Sequence, residues 1–277
     1  MRPAAVLWLA GLGLAAEAAE PTVTVLAREK VVWEQLNPAR GDQSPKAATL
    51  WGDRSGTVPT GFLVQFVDGF SSPPHVHNVS YRGVVVSGLV HNADAAAPPM
   101  WMPPTSYWTQ PKEAAHITAA TGPTVAYIEI DEGPYLVRPV DQARDSGERP
   151  VNVDASNLVW LDMESIAWLS DASGPSGEVA FLWGDPDNAQ PSGSMLRLPP
   201  GFEGTVRPGG AFRAVTVAGQ ATHEAEGVAT SLSPGSTFAS TGAMAHGLAC
   251  AAPDPCVLYV RSEGPFRVTH AGQGVGR

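Results

Sequence analysis

The chain repeats itself, and the repeat is the strongest constraint on how it can fold. The tetrapeptide Leu-Trp-Gly-Asp stands at 50–53 and returns at 182–185. Further pairs follow in one order, with the second member 127 to 132 residues after the first. They are Val32-Trp33 and Val159-Trp160, Gly69-Phe70 and Gly201-Phe202, Tyr81-Arg82 and Phe212-Arg213, Gly88 and Gly219, His91 and His223, His116 and His246, and Glu132-Gly133-Pro134 and Glu263-Gly264-Pro265. Chance does not supply so many ordered matches, so the sequence predicts two copies of one unit.

The composition favours β-structure for each unit. Of 277 residues, 29 are Gly and 26 are Pro, and only 16% are charged. Many short apolar runs between such turn residues are typical of sandwiches and barrels, and no run over ten residues has a clear helical period. We therefore predict an all-β chain of two tandem barrels at 30–138 and 157–270, joined by a polar linker at 139–156.

The first residues and the net charge bear on location and partners. Arg2 precedes the apolar run 4–16, and an A-x-A pattern follows at 16–18. These features predict a signal peptide at 1–18 and an exported protein, periplasmic in a Gram-negative host, although an N-terminal helix of the fold is the alternative.

The net charge of −10 and the lack of a basic stripe argue against nucleic acid as a partner. No later run is long enough to insert into a membrane.

The chain has two cysteines, Cys250 and Cys256, which enclose Ala-Ala-Pro-Asp-Pro. This turn sequence folds the flanking segments back on each other and brings the two thiols close together. In an oxidising compartment we expect a disulfide. The alternative is a pair of metal ligands.

Two histidines, His75 and His77, stand two residues apart in a segment that reads as a strand. Residues i and i+2 of a strand point to the same face, so both imidazoles can bind one cation. A third histidine, His116, lies in a second strand-like segment. Three imidazoles converging from two strands suit a divalent transition metal with open coordination positions.

The spacing of Gly69, His75, His77 and Gly88 resembles the first motif of the cupin superfamily. Tyr81 occupies the place where cupins usually carry an acidic ligand. The second cupin motif is matched only at Pro111 and His116. The wider context resembles the ChrR-type cupins and the DUF4437 family. The resemblance implies two jelly-roll barrels, or a bicupin, that pack on each other and often form a homodimer.

The same resemblance implies a metal held by His75, His77 and His116 and a small-molecule ligand. Three-histidine cupins suggest Fe-dependent dioxygen chemistry. A chain metallated after export instead meets Zn and Cu, which bind nitrogen ligands tightly, so Zn, Cu, Ni and Fe all stay open. Neutral ligands leave the full charge on the ion, which favours an anionic organic substrate.

Other residues near the motifs are candidates with weaker roles. Tyr81 is a candidate catalytic or hydrogen-bonding group, or a core aromatic as Phe212 suggests. His91 is a possible additional ligand. An apolar pocket wall around the substrate is predicted from the residues beside the second motif: Trp101, Met102 and Trp108.

The second copy lacks the histidine pair. Counting five residues from Gly201 places Arg207 in the position of His75 and Gly209 in that of His77. We therefore predict a degenerate second barrel, with the chemistry in the first. Three functions stay open: a metal-dependent oxygenase, a non-catalytic periplasmic binder or sensor, and a structural bicupin with a vestigial site.

Overall fold

The computed structural model describes residues 20–170, 177–225 and 227–271, and the predicted signal peptide at 1–18 lies outside them. The strands are β1 Val23–Leu26, β2 Glu34–Gln35, β3 Lys46–Trp51, β4 Thr60–Phe66, β5 His75–His77, β6 Tyr81–Ala93, β7 Tyr107–Gln110, β8 Ile117–Ile130, β9 Val137–Pro139, β10 Val151–Val153, β11 Leu161–Asp162, β12 Glu178–Trp183, β13 Pro191–Leu198, β14 Glu203–Pro208, β15 Phe212–Ala218, β16 Ala221–Ala225, β17 Val228–Leu232, β18 Thr237–Ser240, β19 His246–Cys250, β20 Cys256–Glu263 and β21 Phe266–His270. Short 3₁₀ turns lie at Arg28–Lys30, Pro38–Gln43, Val140–Gln142, Ala155–Asn157 and Met163–Ser165. Among these residues, no helix could cross a membrane.

Two seven-stranded antiparallel sheets dominate the fold. Their strand orders are β10-β7-β6-β8-β4-β3-β2 and β1-β18-β15-β20-β13-β12-β11. Apart from the edge strands β10 and β1, the other six strands of the two sheets correspond one to one through the sequence repeat. Beside them lie the pair β5-β9 in the first unit and the five-stranded sheet β17-β16-β19-β14-β21 in the second. The all-β prediction is confirmed.

One edge strand of each large sheet comes from the other unit. β1 precedes the first unit but pairs with β18 of the second. β10 precedes the second unit but pairs with β7 of the first. The predicted linker at 139–156 therefore needs correction, because its residues 151–153 form a strand of the first sheet. The predicted start of the first unit at residue 30 likewise omits β1. A strand this short, without a long apolar run, gives no clear signal in the sequence.

The glycine at the end of the first motif allows β6 to serve both the large sheet and the site. Gly88 has a φ of 71°, and a Cβ there would lie 2.2 Å from Thr124 Oγ1. The register of β6 against β8 shifts between Val85 and Ser87 and again between Ser87 and Leu89, where this glycine lies. Beyond the shift β6 pairs with the start of β8, which carries Asn92 towards His116. A left-handed, crowded position of this kind favours glycine.

The two units pack through matching contacts about an approximate two-fold relation. The guanidinium of Arg82 lies 3.7 Å from the ring centre of Trp183, and that of Arg213 lies 4.5 Å from Trp51. Each of these tryptophans donates its indole N–H to a buried tyrosine of its own unit. An apolar cluster with residues from both halves, including Val84 and Val215, lies between them. The interface therefore combines apolar burial with cation–π contacts.

A buried carboxylate breaks the symmetry of this interface. Glu129 is fully buried, and Arg261, the residue at the same place in the second copy, donates to it over 2.7 Å. The hydroxyls of Tyr127 and Tyr259 also donate to Glu129. Two identical units would bring like charges together here, whereas Glu129 and Arg261 are opposite in charge.

The expected disulfide is present in the second unit. Cys250 and Cys256 are bonded with their Cα atoms 5.7 Å apart. The bond joins the end of β19 to the start of β20, across the predicted turn. The alternative of a metal-binding cysteine pair is therefore excluded in the oxidised chain.

Candidate metal centre

The three predicted histidines meet at one end of the first unit. His75 and His77 alternate with Val76 on β5, so both rings project to the same side. On one edge β5 pairs with β9. On the other, the backbones of His75 and His116 exchange two hydrogen bonds of 3.0 Å. Because both edges of β5 are held by backbone pairing, the positions of all three rings are fixed.

In each of the three imidazoles, Nδ1 faces a backbone carbonyl. The Nδ1 of His75 lies 2.9 Å from the carbonyl oxygen of Pro73, and those of His77 and His116 lie 3.2 and 3.3 Å from Leu136 and Ala114. A carbonyl only accepts, so each Nδ1 carries the proton. In the neutral ring this leaves the lone pair on Nε2, the form that a metal ligand requires.

The three Nε2 lone pairs converge. The ligand atoms of the histidines lie within 4.8 Å of one another, and the Nε2 atoms of His75 and His77 are 3.2 Å apart. Two lone pairs at this distance repel each other unless a cation lies between them. Metal–nitrogen bonds of about 2.0–2.1 Å in a tetrahedral site place neighbouring nitrogens about 3.3 Å apart. The donor set therefore fits a divalent transition metal.

Burial keeps these histidines neutral. Their exposed fractions are 9% for His75, 2% for His77 and 1% for His116. Desolvation lowers the pKa of His75 and, together with the neighbouring imidazoles, lowers that of His77 well below its usual range. Desolvation and His75 lower the pKa of His116 to about 3. The ligating form thus persists throughout the neutral range.

Tyr81, in the usual acidic slot, lies beside the site as a neutral phenol. Its hydroxyl donates to Asn92 Oδ1 over 3.0 Å and is 3.5 Å from His116 Nε2. Asn92 is itself held by Thr118 and by Gln110. Burial raises the pKa of Tyr81, so it keeps its proton. The structure thus places a hydrogen-bonding phenol where cupins usually place a carboxylate.

A second phenol, Tyr135, reaches the site and was missed by sequence reasoning. Its hydroxyl lies 3.4 Å from His77 Nε2, and its ring stacks on that imidazole with centres 4.6 Å apart. It follows Glu-Gly-Pro in the repeat, and Phe266 follows the second Glu-Gly-Pro. This aromatic position, shared by both copies of the repeat, is the sequence signal that could have identified Tyr135.

His91 is not part of the centre, which corrects the prediction of an additional ligand. It lies outside the three-histidine group found among the described residues. Since Asn92 points to the site, its neighbour on the strand points to the opposite face. There the backbone N–H of Met100 donates to His91 Nδ1 over 3.2 Å. This histidine has a structural partner instead of a metal.

The predicted pocket wall also needs correction. Trp108 and Met102 are fully buried in the core of the first unit. Trp101 is 41% exposed and packs on His91, with ring centres 5.9 Å apart. Trp108 instead supports Tyr81 edge-to-face at 6.5 Å. A nearby groove of about 400 Å³ is lined by residues 113–115 and by side chains between 143 and 150, and by none of the histidines.

Among its described residues, the second unit has no comparable donor set, although the predicted replacements were off by one residue. His75 bridges to His116 in the first unit, and Val206 pairs with His246 in the second. Val206 and Pro208, both buried, therefore occupy the places of the histidine pair, and Arg207 between them is exposed. A one-residue shift moves every side chain to the other face of a strand, which is why the count from Gly201 failed.

The retained histidine of the second unit pairs with another histidine. His246 Nδ1 lies 2.9 Å from His223 Nε2, and its Nε2 lies 3.1 Å from Ser240 Oγ. By register, His223 pairs with Leu248 as Asn92 pairs with Thr118. It is thus the counterpart of Asn92 and not of His91. A hydrogen-bonded partner inside the unit explains why His246 persists without a metal site.

The comparisons with known proteins agree with this architecture. The model of the DUF4437 family, a domain of unknown function, matches residues 24–269. The chain therefore belongs to the DUF4437 family. A sequence search of curated proteins found no match.

Solved structures of similar fold come from several bacteria. A candidate dioxygenase from Nostoc punctiforme matches with a TM-score of 0.65 and 12% identity, over 91% of this chain and 86% of its own. AerE from Microcystis aeruginosa matches with a TM-score of 0.55 and 10% identity, over 86% of this chain and 97% of its own. A mutant salicylate 1,2-dioxygenase from Pseudoaminobacter salicylatoxidans matches with a TM-score of 0.51 and 15% identity, over 81% of this chain and 78% of its own. At these identities the likeness shows the fold, which is the cupin jelly roll.

Proposed function

We propose that the chain is an exported bicupin whose first unit holds one divalent transition metal and oxygenates a small anionic organic molecule. The observation that carries the proposal is the convergence of three Nε2 atoms whose rings are each oriented by an Nδ1–H bond to a carbonyl. Preorganised, neutral imidazoles of this kind are what a metal site requires.

The charge of the site supports an anionic substrate. His75, His77 and His116 are neutral, and no carboxylate joins their group within the described residues. A divalent ion there keeps its full charge in a buried place, and an uncompensated buried charge is costly. An anionic ligand compensates it. Salicylate, the substrate named for one structural neighbour, is a carboxylate of this class.

The residues around the centre have separable roles in this proposal. A bound ion would supply Lewis acidity and, if it is iron or copper, redox chemistry with dioxygen. The three histidines hold and orient the ion. Tyr81, fixed by Asn92, borders it on the side of His116. β9 pairs with one edge of β5, and the burial of His75 and His77 limits the access of water.

Export and metal identity are linked in the proposal. The disulfide supports an oxidising compartment. A chain that folds there meets copper and zinc, which bind nitrogen ligands more tightly than iron or manganese does. Zinc, copper, nickel and iron are the candidates, and a redox role requires copper, nickel or iron.

A non-catalytic metal or ligand binder is the second candidate, and the composition of the site favours it. The three-histidine group includes no Asp or Glu that could act as an acid or base. Neither of the two grooves identified on the described residues is lined by the histidines. A vestigial site is disfavoured, because the second unit shows that a lost pair becomes apolar, as at Val206 and Pro208.

Metal analysis combined with oxygen uptake separates these functions. The protein is purified from the periplasm, its metal content is measured, and oxygen consumption is followed with aromatic carboxylates, thiols and diketones. We expect bound metal and metal-dependent uptake with at least one small anion. Bound metal with no uptake favours the binder. Absence of metal, even after reconstitution with each candidate ion, contradicts both.

A further inference from the structure

We propose that Tyr135 is the residue that recognises the anionic ligand of the metal centre, by donating its phenolic proton to that ligand. The inference rests on the proposed function, since it assumes that the histidines hold a metal. It deepens that proposal, because it assigns the binding of the anion to one side chain on the segment that covers the site.

Two phenols border the convergent nitrogens, and their protons are differently engaged. The hydroxyl of Tyr81 donates to Asn92 Oδ1 over 3.0 Å. The hydroxyl of Tyr135 has His77 Nε2, at 3.4 Å, as its one hydrogen-bonding neighbour among the described residues. Tyr81 is thus committed to the protein, whereas the proton of Tyr135 is directed at the ligand atoms.

A metal bound to His77 removes the hydrogen-bond acceptor of Tyr135. The Nδ1–H of His77 is bonded to the carbonyl of Leu136, so its Nε2 is the atom that binds the ion. Once that lone pair is used, it no longer accepts from the phenol. A phenol with a reference pKa near 10 keeps its proton at neutral pH, and a shielded donor needs an acceptor. The nearest place for one is the group that occupies the open positions of the metal.

The ring of Tyr135 is held so that its hydroxyl stays at this place. It stacks on His77 and packs edge-to-face on Phe62, with ring centres 5.1 Å apart. The Asn78 side chain fastens the segment on both sides, donating to the carbonyl of Pro134 and accepting from the N–H of Leu136. The hydroxyl is therefore preorganised, which reduces the entropic cost of each hydrogen bond that it makes.

The second unit provides an internal comparison. There Phe266 follows Glu-Gly-Pro, as Tyr135 does in the first unit, and Phe212 replaces Tyr81. The rings of Phe266 and Phe212 pack edge-to-face at 5.6 Å, much as those of Tyr135 and Tyr81 do at 6.0 Å. The ring packing is kept and both hydroxyls are absent, in the unit that also lacks the histidine pair. Packing alone therefore does not require the hydroxyl.

The test uses the full chain loaded with cobalt(II), whose visible spectrum reports both metal binding and added anion. Azide is titrated into wild type, Tyr135→Phe and the control Tyr107→Phe, whose tyrosine lies in the apolar cluster between the units. Phenylalanine keeps the ring contacts, so folding is preserved. Because a hydrogen bond to a charged group is lost, we expect azide to bind Tyr135→Phe about tenfold more weakly. Tyr107→Phe is expected to stay within about twofold of wild type, because Tyr107 lies in that cluster and not in the three-histidine group.

Each other outcome overturns the assignment in a distinct way. Equal azide affinity in Tyr135→Phe and wild type shows that the hydroxyl does not meet the anion. Equal weakening in both variants shows that Tyr135 has no special role. Loss of the cobalt spectrum only in Tyr135→Phe shows that the phenol acts on the metal itself. Failure of the wild type to bind cobalt, or any other candidate ion, removes the proposed function, and the inference with it.

Discussion

The same place in the fold is polar in the first unit and apolar in the second. At equivalent positions the first unit has His75 and His77, and the second has Val206 and Pro208. Tyr81 in one matches Phe212 in the other. The strands around these residues follow the same order in both units. One backbone therefore supports either a set of metal donors or a packed core, and a few side chains on β5 and β14 decide which.

The comparison also separates histidines by what holds them. His116 shares its site with His75 and His77, and its Nε2 atom is unprotonated. His246 has no such partners and bonds to His223 and Ser240 instead. The histidine that both copies retain thus has a different role in each: His116 is a candidate metal ligand, and His246 is a member of a buried hydrogen-bond chain.

The largest expected effect comes from making the first unit resemble the second at one ligand. His75→Val, which copies Val206, removes one of three donors, so we expect the metal content of purified protein to fall from about one ion per chain to near zero. The measurement is elemental analysis. Arg207→Ala, at an exposed residue of the second unit, is the matched control and should leave the content unchanged. Equal metal in the two variants would contradict the assignment.

The next effect concerns the contact between the units. Glu129→Gln removes the fully buried carboxylate that Arg261 contacts and leaves it only the half-exposed Asp131, so we expect a loss of about 3 kcal/mol in the free energy of unfolding. Denaturant unfolding measures it. Glu34→Gln is the control, since Glu34 forms an exposed pair with Arg54 and should cost less than about 1 kcal/mol. Similar costs for the two variants would show that the interface does not depend on this charge.

A smaller effect is expected from the disulfide, which only the second unit has among the described residues. Replacing Cys250 and Cys256 together with serine opens a short loop, and we expect a loss of about 2 kcal/mol in unfolding free energy. Metal binding to the first unit should be unaffected, because the bond joins β19 and β20 of the second. Loss of metal in this variant would show that the two units are not independent in this respect.

The smallest effect is on the pH dependence of stability. Burial lowers the pKa of His223 and of His246 to about 4, below the usual value near 6.5. The unfolded chain then binds protons more readily than the folded one, so this contribution is complete above pH 6.5 and is lost as the pH falls towards 4. For metal-free protein we expect a loss of about 1 kcal/mol or more between pH 7.5 and 5. Denaturant unfolding that shows no loss would contradict this account of the buried pair.

Much of this arrangement could be predicted from the sequence, because the repeat and the motif are local patterns. Composition predicted the all-β class, and the spacing of His75 and His77 predicted one shared face. The disulfide followed from the turn between Cys250 and Cys256. Each of these depends on residues close together in the chain, where strand geometry and turn chemistry act directly.

What could not be predicted depends on register and on long-range pairing. The exchange of β1 and β10 between the units leaves no mark in the local pattern. The counterparts Val206 and Pro208 depend on a one-residue shift that only the pairing of β14 with β19 and β21 fixes. Tyr135 reaches the site because β9 folds back on β5, which is a contact between segments about 60 residues apart.

The central claim is that one unit of the two holds a metal, through three histidines. The most direct measurement is the metal stoichiometry of reconstituted full-length chain, together with X-ray absorption at the metal edge. We predict one ion per chain, surrounded by three imidazole nitrogens. Two ions per chain, none, or a first shell dominated by oxygen or sulfur would contradict the account.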